Sequence, residues 1–307
     1  MKKYIIIVLM TIKHIVISGG GPPGILAYGV YKELEKKGYW SIQNLESVYG
    51  CSMGAILSIM LVLNYKWEWL DDYIMKRPWN KLVDINADAI FNIYSECGIL
   101  DDTGVYKLLS PLLKGKNLSD KITMLELYKY TKIDVHIFST NMNGMEKIDI
   151  SHKTHPDLPV YKAIYMSLTI PGLFKPICQD NKCYIDGGYL NHFPINDCIS
   201  RKDVKEEEVL GIYISAFSEY NITEVSSLSD IYFSLMLKLI TISNNVEMCG
   251  CQHKKNIIKC SLENSKGVME WIHVLQEEGK RRDIIKQGEH EANKYLQHIN
   301  YKEVSKN

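Results

Sequence analysis

The sequence predicts an α/β fold, a three-layer sandwich with a mostly parallel central sheet and helices on both faces. Three observations carry that prediction. Short apolar runs recur along the chain and are separated by stretches with apolar residues at helical spacing, the pattern of strands alternating with helices. The first run passes through a glycine-rich turn into a helical pattern, "ISGGGPPGILAYG" over residues 17–29. The second, "SVYGCSMGA" at residues 47–55, also turns through glycines into a helical stretch.

Strand signals lie at about residues 14–18, 46–50, 133–140, 146–150, 182–185 and 208–214. Between them run helical patterns: "GILAYGVYKELEKKG" ending at Gly38, "MGAILSIMLVLNY", "DDTGVYKLLSPLLKG" and "TMLELYKYTK". The charged "SRKDVKEEEVLG" reads as a solvated loop leading into a buried strand. No Pro/Gly/Ser-rich linker and no internal repeat divides the chain. It therefore reads as one domain: an N-terminal extension (1–11), a core of alternating strands and helices (12–215) and a C-terminal helical part of the same domain (216–307). Helical excursions are expected after residues 64 and 225.

A chain of 307 residues, 46% apolar and 23% charged, is globular and large enough to bury a substantial core. Its 36 basic and 36 acidic residues cancel. That excludes a global field for holding nucleic acid or anionic membranes, so any membrane contact must be local and apolar. Eight cysteines are too sparse for a disulfide scaffold and are expected as reduced thiols. The start "MKKYIIIVLMTIKH" has signal-like lysines and an apolar run. Lys13 and His14 interrupt that run, no small-residue cleavage site follows, and it is too short to span a bilayer. Met10 is an alternative start. The expected location is cytoplasmic, with a peripheral place at membranes.

A strand, then glycines, then a helix aims backbone N–H groups at an anion. Gly19, Gly21 and Gly24 satisfy a dinucleotide-binding spacing. Pro22 and Pro23, however, have no N–H to donate, and the tip of the second strand holds "GCSMG" where a ribose-binding acid would be needed. The cradle of Gly19, Gly20 and Gly21 suits a single oxygen better, such as the oxyanion of an acyl-transfer intermediate.

In "GCSMG", Gly50 and Gly54 flank Ser52 between an apolar strand and an apolar helix, the setting of a nucleophile elbow. A serine hydroxyl needs a base. In "YIDGGYLNHFP", Asp186 follows a short strand and precedes Gly187 and Gly188, which permit a tight turn presenting the carboxylate. An ordinary Asx-turn fits the same letters. A Ser–Asp–His arrangement would draw on His192, His253 or His273, none of which sits in a motif that fixes it; His192 reads as a loop residue. "CGCQHKKNIIKC", with Cys249, Cys251, His253 and Cys260, lacks the ligand spacing of common zinc sites. No acidic loop signature for calcium is present. Trp67, Trp69 and Trp79 read as core packing, with a lipid-facing lid as the alternative.

Three ordered motifs, Gly19-Gly20-Gly21-x-x-Gly24, Gly50-x-Ser52-x-Gly54 and Asp186-Gly187-Gly188, make the sequence resemble the patatin-like phospholipases. "MSLTIPGLFKP" resembles that family's run before the aspartate strand. The resemblance covers about residues 12–215. It implies an α/β lipid acyl hydrolase of phospholipase A type, with a Ser52–Asp186 dyad, a glycine-loop oxyanion hole, no cofactor or metal, and a lipid or membrane-surface substrate. Many members carry Arg or Lys where this loop has Pro23, so a cation that would assist the loop or a lipid phosphate is missing. The tyrosine-, lysine- and isoleucine-rich style suggests an AT-rich genome such as that of a large DNA virus. The alternatives are a Ser–Asp–His esterase or thioesterase and a non-catalytic binding protein.

Overall fold

The fold was obtained as a computed structural model and describes residues 11–82, 93–215, 222, 228–249, 256–261 and 268–304. β1 (His14–Ile17) turns through a 3₁₀ segment at Pro22–Ile25 into α1 (Leu26–Lys36). β2 (Ser47–Cys51) passes through a single residue into α2 (Met53–Val62). An excursion of α3 (Trp67–Lys76), α4 (Ile93–Glu96), β3 (Gly98–Leu100), α5 (Thr103–Lys114) and α6 (Met124–Thr131) follows. The chain returns with β4 (Asp134–Asn141), β5 (Glu146–Ile150), α7 (Val160–Leu168), β6 (Gly172–Phe174), β7 (Ile177–Gln179) and β8 (Lys182–Asp186). Then come α8 (Gly188–Asn191), α9 (Ile195–Ile199), β9 (Val209–Ser215), α10 (Leu228–Cys249), β10 (Ile257–Ser261), α11 (Val268–Gln276) and α12 (Glu278–Val304).

The main sheet is hydrogen-bonded in the order β10-β9-β1-β2-β4-β8-β7, with β5 also on β4. The five strands from β10 to β4 are mutually parallel; β5 and β8 run antiparallel to β4, and β7 antiparallel to β8. The register along β4 has a consequence for the site. Phe138 pairs with Cys51 of β2 and Asp149 of β5, while the next residue, Ser139, pairs with Asp186 of β8 and Ile148 of β5. A strand has two edges, so β2 and β8 share the edge opposite β5. They meet end to end there, C-terminus to C-terminus.

Alternation along the strands divides the core between the two faces. Ile15, Ile17, Val48, Ile137, Leu210 and Ile212 join the larger cluster with α1, α2, α5 and α7. Val16, Tyr49, Cys51, Phe138 and Tyr213 pack on the other face against Phe193, Ile195 and Cys198 around α9. Two expectations need correction. Cys178 and Cys183, facing each other across the β7–β8 hairpin, form a disulfide rather than two thiols. Cys51, Cys97, Cys198 and Cys260 are thiols outside any disulfide. Of the tryptophans, Trp79 is buried and Trp67 packs on Tyr28 and Tyr31, but Trp69 is 41% exposed, stacked between Tyr65 and Tyr73. Residues 1–10 of the expected N-terminal extension lie outside the described residues.

Candidate active site

Ser52 occupies the one-residue turn between β2 and α2 with φ 53° and ψ −121°, a region a non-glycine residue enters only when its surroundings enforce it. The glycines on either side explain how the turn closes. A Cβ on Gly54 would lie 2.3 Å from the Ile17 carbonyl oxygen, and one on Gly50 would lie 2.5 Å from the Gly54 carbonyl oxygen. Strand and helix are therefore in backbone contact, and the serine is lifted out of the turn. The Ser52 N–H donates to Ser167 Oγ at 2.8 Å, and that hydroxyl donates in turn to the Phe138 carbonyl at 2.5 Å. Ser167, near the end of α7, thus ties the elbow to β4. One residue on in β4, the Ser139 hydroxyl reaches the carbonyls of Met166 and Ile185, both at 2.9 Å, and binds α7 to β8.

Asp186 ends β8 where β8 meets β2. Its N–H donates to the Thr169 carbonyl at 2.7 Å, and its Oδ1 accepts the Gly188 N–H at 2.7 Å, closing an Asx-turn over Gly187. The Cys51 thiol approaches the same oxygen at 3.9 Å. The side chain is 2% exposed. Burial pushes its carboxyl up to about 6, against hydrogen bonding from the Gly188 N–H, the Ser52 hydroxyl and the Cys51 thiol. Ser52 itself is only 9% exposed.

The glycine loop closes the third side. Pro22 and Pro23 open the 3₁₀ turn, where a missing N–H costs nothing, and the Gly24 N–H donates to the Gly21 carbonyl at 2.9 Å. Gly21 has φ 57°, and a Cβ there would strike the Trp271 indole at 2.5 Å. The loop is anchored at its start, where the Gly19 N–H donates to the His192 carbonyl at 3.1 Å. Among the described residues, neither the Gly20 nor the Gly21 N–H has an acceptor. His192 lies, as expected, in the bend that follows α8, and it is buried beneath the glycine loop. Burial lowers its imidazole to about 4. A Cβ on Gly19 would lie 2.5 Å from the His192 ring.

Beside Ser52 lies an apolar cavity of about 220 Å³, walled by residues including Met53, Ile56, Leu108, Phe174 and Trp271. Apart from Ser52 and Asp101, its lining side chains are apolar. Among the described residues no group of three or more His, Cys, Asp or Glu side chains could hold a metal ion. Cys251 and His253 lie outside the described residues, and Cys260 is buried in β10.

A family model described as patatin-like phospholipase matches residues 15–199, more than half of the chain. The chain belongs to the patatin-like phospholipase family. The match runs from β1 to α9, so the glycine loop, Ser52 and Asp186 all fall within it. The chain is 26% identical over 272 residues to the probable lipid hydrolase 463L of Invertebrate iridescent virus 6, covering 81% of this chain and 92% of that protein. It is 23% identical over 184 residues to the uncharacterized protein R571 of Acanthamoeba polyphaga mimivirus, covering 60% of each. The solved structure of VipD from Legionella pneumophila shares the fold, with a TM-score of 0.57 at 17% identity over 93% of this chain and 67% of that one.

Membership in the patatin-like phospholipase family makes lipid hydrolysis the class of activity and a lipid the class of substrate. Within this patatin-like core, two residues singled out from sequence, Ser52 and Asp186, come together. His273 sits partly buried on α11, away from any motif. Sequence reasoning missed the work of Ser167. "MSLTIPGLFKP" carries part of the family resemblance, but a serine on an apolar helix gives no sign that its hydroxyl holds a turn 115 residues away. Trp271 was missed too, because nothing local in α11 points to a loop near the N-terminus.

Proposed function

We propose that the protein hydrolyses lipid acyl esters, with Ser52 as nucleophile, Asp186 as its general base and the N–H groups of Gly20 and Gly21 as oxyanion donors. The observation that carries this reading is the meeting of β2 and β8 on one edge of β4. There a serine in a strained turn faces a buried carboxylate beside an apolar cavity. Ser52 Oγ attacks the ester carbonyl carbon while Asp186 accepts its proton, and the carbonyl oxygen becomes an oxyanion. Collapse of the tetrahedral intermediate breaks the acyl–oxygen bond, and Asp186 returns the proton to the leaving alcohol. Water then attacks the acyl-Ser52 ester, giving its proton to Asp186, and the second collapse releases the fatty acid and restores Ser52.

The environment suits these roles. A carboxyl near 6 is mostly ionised at neutral pH, yet is a stronger base than an exposed aspartate. His192, buried and held near 4, is the weaker base, so a histidine-dependent reading draws less support. Gly19 is then the anchor of the loop, and Gly20 and Gly21 carry the free donors. The cavity suits an acyl chain, at about 0.8 kcal/mol for each buried methylene. We place the chemistry in residues 12–215, with the C-terminal part completing the cavity through Trp271 and Leu275.

The test is hydrolysis of a medium-chain p-nitrophenyl ester and of phosphatidylcholine by Ser52→Ala and Asp186→Asn. Each variant should retain its fold by circular dichroism and lose at least about a thousandfold in kcat, and the double variant should be little worse. Turnover near wild type by either folded variant would end the dyad reading.

A further inference from the structure

α10 presents two unlike faces to its surroundings. Its inner face builds the site: Leu237 packs against Ile170 and Trp271, both of which line the cavity. Ile240 lies against Gly188, beside Asp186, and the Tyr232 hydroxyl donates to the Pro171 carbonyl at 2.9 Å. The outer face carries Ile231, Leu235, Leu239 and Ile242, exposed by 47%, 53%, 43% and 61%. Spaced four, four and three residues apart, they fall within an arc of about 80° on the helix. Single exposed apolar residues are ordinary, but a continuous stripe marks a surface with a partner. Lys238, also exposed, lies about 20° outside one edge of that arc.

We propose that the outer face of α10 is the surface by which the protein lies on a lipid bilayer. The inference rests on the lipid-hydrolase reading but not on the Ser52–Asp186 pair. Its partner follows from the helix itself, whose other face packs behind Ile170 and Trp271 in the wall of the cavity that would take an acyl chain. No described helix is long and apolar enough to cross a membrane, so α10 lies along the surface instead of spanning it. A balanced charge of 36 basic and 36 acidic residues supplies no long-range attraction, and adsorption must come from local apolar contact. Lys238 separates a bilayer from a second copy of this chain. A lysine at the rim of an immersed stripe extends its ammonium to lipid phosphates, whereas a two-fold contact through this face would bring two such lysines together.

The test is flotation with phosphatidylcholine vesicles, with and without added phosphatidylserine, using the full chain. Wild type and Ser52→Ala should float equally, which keeps docking separate from the identity of the nucleophile. Leu235→Glu and Leu239→Glu should each weaken vesicle binding by about tenfold or more while leaving the melting temperature unchanged. Ile242→Trp should bind and be quenched by vesicles of brominated phosphatidylcholine. Wild type that fails to float on either vesicle, or glutamate variants that float as well as wild type, would overturn the proposal. Loss of a concentration-dependent dimer in Leu235→Glu, with flotation unchanged, would assign the face to a second copy.

Discussion

As the proposed base, Asp186 would serve two opposed requirements: its carboxylate must be charged to take a proton, and it is buried where charge is costly. Since burial raises it from an ordinary 3.8 to about 6, the folded protein binds a proton there that the unfolded chain has released. Its contribution to stability is therefore most favourable at low pH and is lost as pH rises from about 4 to about 6. Asp186→Asn keeps an acceptor for the Gly188 N–H and removes the charge. It should be inactive yet more stable than wild type at neutral pH, on the order of 1–3 kcal/mol, with the gap closing toward pH 4 in urea titrations. Equal stability of the two at neutral pH would show that the carboxylate is not desolvated. In wild type, kcat/KM should rise about tenfold per pH unit up to about 6 and then level off. Ser167→Ala leaves the Ser52 N–H and the Phe138 carbonyl without their partner, at a cost of about 1–3 kcal/mol. Because the elbow loses its support, kcat should fall more than KM rises.

At the scale of elements, what brings the pair together is the junction of β2 and β8 on β4. The elements of that junction were legible in the sequence, the junction itself only in part. Strands at 14–18, 46–50, 133–140, 146–150, 182–185 and 208–214 are found within a residue or two of those positions, since most are apolar runs bounded by turn residues. The three-residue strands β3, β6 and β7 were not legible, nor was β10. They are too short or too polar to show a period, and the partners of β3, β6 and β10 are distant in sequence. The glycines of the elbow were legible, but the reason for them is tertiary: Gly54 meets the backbone of β1. Gly54→Ala should therefore lower both stability and activity, by about 2 kcal/mol or more in denaturant titrations, whereas an alanine at the exposed Gly279, whose Cβ would meet nothing, should be neutral. A fully stable Gly54→Ala would contradict the backbone contact. The burial of His192 was not legible for a similar reason. Its place under the glycine loop depends on α8, a single turn that no periodicity announces.

For the whole molecule, the proposed function has an apolar cavity in a chain without net charge set the selectivity. Rates on an ester series should rise about fourfold per methylene until the cavity is filled, and Leu108→Trp, which narrows it, should move the optimum to shorter chains. A flat series in both proteins would remove the cavity from the account. With the carbonyl polarised by backbone N–H groups, turnover should be the same with EDTA or added calcium. The central claim, that Ser52 is the nucleophile and Asp186 its base, is tested most directly by labelling with an alkyl fluorophosphonate and mapping the adduct by peptide mass spectrometry. The account predicts a single adduct on Ser52 in wild type, none in Ser52→Ala, and slow labelling in Asp186→Asn. An adduct at another serine, or full labelling of folded Ser52→Ala, would contradict it.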